Sequence, residues 1–314
     1  MSTVPLEADT VPISDGPAIE GRSTLGLALT RLRRDRVAIA SAVVILLLIV
    51  VALAAPLIAK LTGHDPVTQY RHTGLTPAGL PVGPSRQFWF GTDNLGRDVF
   101  IRVIYGTRIS LLVGVVSTLL AVALGVVVGV TAGYFQGYVD TVLARFMDVV
   151  LSMPFLLFAI ALVAVAGPSI VVSVGVIAFF SWAAVGRIVR GQTLSIRERE
   201  YIQAARLLGA GHLRIMTFEI LPNLVAPVIV YTTLLIPTAI VFEATLSFLG
   251  MGVVPPTPTW GNMLADSLQY YQVAWWFILF PGLALLTTTL AFNLLGDSIR
   301  DAVDPTTERP SAKK

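Results

Sequence analysis

The 314-residue sequence contains no cysteine, only three lysines and only three histidines. Without a thiol there is no disulfide framework, no thiolate metal site and no cysteine nucleophile. His64, His72 and His212 are scattered rather than spaced as metal ligands, so no metal or other cofactor is expected on this chain. Lys60, Lys313 and Lys314 all lie outside any glycine-rich loop resembling a P-loop, so the chain does not build that nucleotide site itself. Charge is scarce too, at 13% of residues against about 25% in an ordinary globular chain. Hydrophobic residues make up 55% and the mean hydropathy is +0.77. That composition leaves too little polar surface to solvate a particle of this size, which excludes a soluble enzyme. A net charge of +3 implies no nucleic-acid partner, and nothing resembles a paired acid and base or an activated nucleophile.

What is present is a series of long apolar runs. Residues 1–26 are rich in Pro, Ser, Thr, Gly and acidic residues and predict a disordered tail. Arg31, Arg33, Arg34 and Arg36 then precede the uncharged run Val37–Ala59, long enough to span a bilayer with some tilt. A cleaved signal ending near Ala52-Leu53-Ala54 is the rival reading of that run; it is disfavoured because the run stays apolar through Ile58 behind an unusually long leader. Further runs at 109–132, 147–167, 169–186, 222–242 and 274–295 bring the expectation to an all-α membrane protein of six transmembrane helices. At about 20 residues each these use roughly 120. Arginine-rich segments before the first span and over 187–214 place both termini in the cytoplasm. The stretch between the first and second spans opposes the rule: parity puts it outside, yet it carries Lys60, Arg71, Arg86, Arg97, Arg102 and Arg108. An interfacial helix there, and an Asp98–Arg102 pair at i,i+4, would accommodate part of that charge.

In the second span Ala121, Gly125, Gly129, Gly133 and Gly137 recur every four residues, a stripe that admits another backbone, with packing favoured over ligand contact. Pro154, Pro227, Pro237 and Pro281 can each kink a helix. Ser152, Met153, Phe155 and Trp182, with Phe180, are candidates to face a pathway, although such residues in spans more often pack. Trp260, Trp275, Trp276, Tyr270 and Tyr271 have the character of an interfacial belt.

The polar stretch Ser195–Asn223 is the most informative. Ser195 and Glu198 have capping-box spacing and Gly209 can end a helix in the left-handed region, which predicts about three turns between them. Glu200, Ala204 and Ala205 set a carboxylate beside two small residues. Tight docking against another protein and a solvated interfacial helix are both consistent with that pattern.

The spacing Glu200, Ala204-Ala205, Gly209 and Leu221-Pro222 resembles the EAA loop of ABC importer permeases. One position departs: Glu219 stands where the family has isoleucine, with Ile220 beside it. Residues 31–36, 90–98, 108–114, 243–250, 255–262 and 291–297 resemble the C-type permease subunit of the peptide/nickel branch. The resemblance implies a type I importer transmembrane domain: a leader and first helix at 27–60, an extracytoplasmic segment at 61–107 and a core at 108–297. The core carries a cytoplasmic coupling loop at 195–214, and a cytoplasmic tail follows at 298–314. It implies a bacterial plasma (inner) membrane location, a homologous second permease, two ATPase subunits or domains carrying ATP and Mg, and an extracytoplasmic binding protein that residues 255–262 could touch. Short peptides are the cargo the resemblance favours, with nickel chelates, heme or other small solutes as alternatives. An ion-coupled secondary transporter would need ionisable residues near the bilayer midplane, whereas Asp148, spaced to pair with Arg145, and Glu243 lie at span ends.

Overall fold

In lipid a backbone must satisfy its own polar groups, and long apolar runs do so as helices. A computed structural model describes residues 24–303, and its elements follow that rule: α1 (Thr24–Leu32), α2 (Arg36–Thr62), α3 (Val99–Phe135), α4 (Gly137–Ser152), α5 (Phe155–Ala166) and α6 (Ile170–Arg197) in the first part. Then come α7 (Glu200–Leu207), the short α8 (His212–Arg214), a π-helical turn (Ile215–Ile220), α9 (Leu221–Phe248), α10 (Trp260–Ser267) and α11 (Trp275–Val303). Five of these units are long and apolar enough to cross a membrane: α2, α3, α6, the continuous rod His212–Phe248, and α11. The remaining predicted span, 147–167, falls on the broken pair α4–α5, bent by 88°. Met153 is extended there and Pro154, which has no N–H to donate, caps the second half.

Most of residues 1–26 lies outside the described residues, but the predicted tail is too long at its far end because α1 begins at Thr24. Asp35 caps α2, accepting from the Val37 N–H at 2.8 Å, and a hydrogen bond from Ser298 holds its carboxyl below the usual carboxylate range. α2 buries one narrow stripe, Ala38, Ser41, Ile45, Ala52 and Ala55. Its leucines Leu46, Leu47, Leu53 and Leu57 stay exposed, as expected of a helix in lipid. The centre of the fold is α3 against α6. A Cβ on Gly125 would sit 2.7 Å from Val185 Cβ, one on Gly129 2.6 Å from the Gly186 carbonyl, and one on Gly133 2.7 Å from Thr193 Cβ. The stripe ends one repeat early, since Gly137 has φ +57° with nothing near it and opens α4.

The predicted interfacial helix in 61–107 is absent: between Gly63 and Asp98 the chain runs in turns with two isolated bridges, Leu75–Pro81 and Thr92–Asp98. The expected Asp98–Arg102 pair is also not made. Asp98 caps α3 through Phe100 N–H (2.8 Å) and meets His64 Nδ1 at 2.5 Å, while Arg102 reaches Asp93 at 3.3 Å and the Pro66 carbonyl at 3.0 Å. Arg97 Nε lies 2.6 Å from Asp93 Oδ2 and its other nitrogen 3.5 Å from Asp266 on α10. Two of the charges that defied the orientation rule are therefore buried and internally matched. The belt is corrected as well. Trp260 is fully buried, donating to the Val103 carbonyl at 3.2 Å, and Trp276 is buried with its N–H on the Thr92 carbonyl at 3.1 Å. Trp275 and Tyr271 remain exposed. Buried Glu243 ties α3 to α9 by accepting from Ser110 and Ser247, both at 2.7 Å.

Candidate functional site

At the opposite end of α3 from this turn-rich segment, the stretch 195–223 forms a small bracket. Ser195 does not start a helix, because α6 runs on through it to Arg197 and the predicted three turns shrink to the eight residues of α7. Glu200 opens α7 after the extended residue Arg199, so its carboxylate faces the positive end of the helix dipole. Ala204 is exposed, Ala205 half-buried, and Ile202 is the one fully buried residue of the helix. Gly209 stops the chain at φ +80° with open space around it, so glycine is required by backbone conformation rather than by crowding. Leu221 and Pro222 begin α9 at the exposed rim.

Tyr134, in the last turn of α3, holds the bracket together. Its carbonyl accepts from Arg197 Nη1 at 2.7 Å, its hydroxyl lies 2.9 Å from His212 Nδ1, and Arg206 stacks 5.3 Å over its ring. One residue thus joins α3, the end of α6, α7 and α8. Ile202, Ile215, Ile220 and Leu224 fill the space beneath. The π-helical turn explains the departure at Glu219: a wider turn inserts a residue and shifts the register, so Ile220 is fully buried while Glu219 is half-buried and gives its carbonyl to Asn223. Four large apolar side chains of the bracket are left exposed. Leu207 is 90% exposed, Leu208 88%, Phe218 73% and Leu213 71%.

Tyr134, Arg197 and Leu207-Leu208 were not singled out by sequence reasoning. Tyr134 ends a 37-residue apolar helix like any aromatic near an interface, and only the fold brings His212 to it. Exposed leucines in a charged, helical segment were the available signal.

The pathway candidates separate. Ser152 is exposed and returns its hydroxyl to the Val149 carbonyl, and Met153 sits half-buried at the α4–α5 bend. Phe155 stacks on Phe242 with centroids 4.0 Å apart. Trp182, at 2% exposure, packs inside the α3–α6 core, and Phe180 is buried in the same cluster. Thr259 to Asn262 are likewise buried by the capping box that starts α10, leaving Pro255 and Pro256 as the exposed part of that segment. Asp148 meets Arg145 (3.6 Å) within α4 and Arg187 (2.5 Å) on α6, and Asp140 is paired with Arg190; the two pairs to Arg187 and Arg190 tie α4 to α6.

Residues 125–309 match the family described as the binding-protein-dependent transport system inner membrane component. The chain belongs to this family. Residues 23–77 match the N-terminal transmembrane domain of oligopeptide transport permease C. The permease is 41% identical over 278 residues to the dipeptide transport system permease protein DppC of Alkalihalophilus pseudofirmus, covering 88% of each chain. It is 42% identical over 254 residues to the di/tripeptide transport system permease protein DppC of Pseudomonas aeruginosa, covering 81% of this chain and 83% of that one. The glutathione transport system permease protein GsiD of Shigella flexneri is 44% identical over 275 residues, with 88% of each chain covered. A chain of the MetNI methionine ABC transporter in its inward-facing form superposes with a TM-score of 0.53 at 17% identity, over 65% of this chain and 96% of that one. That likeness establishes the type I importer fold. The protein is an integral inner-membrane permease subunit of an ABC importer.

Proposed function

We propose that this permease forms half of the translocation pathway of an ATP-driven importer of short peptides and takes its driving force from separate ATPase subunits at the α7 bracket. The observation that carries the coupling surface is the exposure of Leu207, Leu208, Leu213 and Phe218 in the stretch that Glu200 opens, since large apolar side chains concentrated at the surface mark an interaction site. ATP and Mg reside in those partners. A second, homologous permease completes the channel and an extracytoplasmic binding protein delivers the cargo. The α7 bracket and both termini face the cytoplasm, which puts the arginines of 187–214 on the expected side and leaves the internally paired Arg97 and Arg102 outside. Peptide cargo is supported by relatives named for dipeptide, di/tripeptide and glutathione transport.

Closure of the ATPase subunits on ATP pulls α7. Through Tyr134, Arg197 and His212 that pull reaches α3, α6 and the α9 rod together, and the Met153–Pro154 break lets α5 stay behind as the rest turns. The test is purification of the tagged chain from membranes in mild detergent beside a variant carrying Glu200→Ala and Gly209→Val, with ATPase activity and binding-protein-dependent peptide uptake measured on both. Wild type should bring down a second permease and ATPase subunits, and the variant should lose coupling between hydrolysis and uptake. Uncoupling that fails to appear removes the docking assignment; uptake of no peptide removes the cargo assignment.

A further inference from the structure

Beside the bracket, at the end the proposed function places in the cytoplasm, a cavity of about 460 Å³ opens between α6, α9 and α11. Its volume falls in the range of small-molecule sites, about 300–1,000 Å³. Arg199, the extended residue before α7, and Arg300, in the last turn of α11, line it. Neither guanidinium has an ion-pair or hydrogen-bond partner among the described residues, and no carboxylate lines the cavity. Charge complementarity calls for an anion, and a planar guanidinium pair suits a carboxylate.

The wall decides what carries that carboxylate. From Asn223 to Leu234 one stripe of α9 follows the cavity for roughly 16 Å of helical rise. Pro227 and Leu234 supply apolar wall, but Gln192 and Tyr231 set an amide and a hydroxyl along it. An acyl chain laid there would strip water from those groups and return no hydrogen bond, which is unfavourable. A peptide backbone offers partners to both. We propose that this cavity binds the C-terminal carboxylate end of a short peptide on the release side of the permease, with Arg199 and Arg300 on the carboxylate and Gln192 and Tyr231 on the backbone. The site is distinct from Ser152, Met153 and Phe155, and it rests on the peptide-importer reading.

The test uses the purified permease–ATPase assembly without its binding protein, and equilibrium binding of alanyl-alanine and of alanyl-alaninamide. Wild type should bind the free acid about tenfold or more tightly than the amide, the discrimination expected of a hydrogen-bonded charge. Arg199→Gln with Arg300→Gln should lose that preference, and Gln192→Leu, at an exposed position, should weaken both ligands alike. Equal affinity for acid and amide, unchanged binding in the arginine variant, or no saturable binding overturns the site. So does arginine-dependent retention of anionic phospholipid that alanyl-alanine does not displace. Binding-protein-dependent peptide uptake by the wild type is measured alongside: uptake with arginine-independent binding fails the cavity alone, while no uptake of any peptide fails the importer reading and the cavity with it.

Discussion

The two ends of α3 solve opposite problems. At its start, residues 63–98 fold without a helix, yet Asp93, Arg97, Arg102 and Trp276 are buried with polar partners inside the chain. At its other end α7 is helical, but Leu207, Leu208 and Phe218 have nothing over them. Irregular backbone is therefore no sign of a working surface here, and regular backbone no sign of a finished one. What distinguishes the ends is whether the side chains find partners within the chain. The closed end spends its charges on holding shape, whereas the open end leaves apolar area for another subunit.

The comparison breaks most readily at Asp93. Asp93→Ala removes the carboxylate shared by two buried guanidiniums and should cost about 3–5 kcal/mol, read as a large fall in the detergent melting temperature; a loss below about 1 kcal/mol would mean that the closed end is not internally matched. Between the ends, Gly129→Ala drives a methyl to 2.6 Å from the Gly186 carbonyl and should cost about 1–3 kcal/mol by the same melt. At the open end Gly209→Ala meets only the left-handed backbone penalty, about 1–2 kcal/mol, and hydrogen exchange should report it over α7 and not over 63–98.

A pH series sharpens the contrast. Burial pushes the Asp98 carboxyl up, against the lowering effect of its bond with His64. A raised carboxyl holds its proton more tightly folded than unfolded, so the closed end should lose stability as pH rises from the ordinary carboxylate range through the folded value. Asp98→Asn should flatten that slope in a melt-against-pH series, and an unchanged slope would assign it to another group. The smallest effect on stability is expected from Leu207→Asp with Leu208→Asp, within about 0.5 kcal/mol for exposed positions. That pair should nonetheless abolish co-purification of ATPase subunits, and retention of them would move the docking surface elsewhere.

Much of this was legible in the residues. Apolar runs place the spans because a bilayer leaves the backbone no other partner than itself, and α2 and α11 fall where the runs lie. The Gly125–Gly129–Gly133 stripe announced a close neighbour without naming α6, since small residues state the distance of approach and not the identity of what approaches. The bend at Met153–Pro154 was hidden because proline in a membrane helix is often accommodated, and only packing decides between a kink and a break. Ser195 misled because a capping-box spacing carries no weight when tertiary contacts keep the preceding helix going.

Composition by itself determined a helical membrane protein whose lysines lie outside any nucleotide loop, and the resemblance of its motifs pointed to importer permeases. The tertiary structure alone decided which charges are consumed and which remain free. Arg97 and Arg199 are the same residue to any reading of composition, yet one lies 2.6 Å from a buried carboxylate and the other borders an open cavity. The physical reason is range: hydropathy acts on the residue that carries it, whereas an ion pair exists only where the fold brings two groups within a few ångströms.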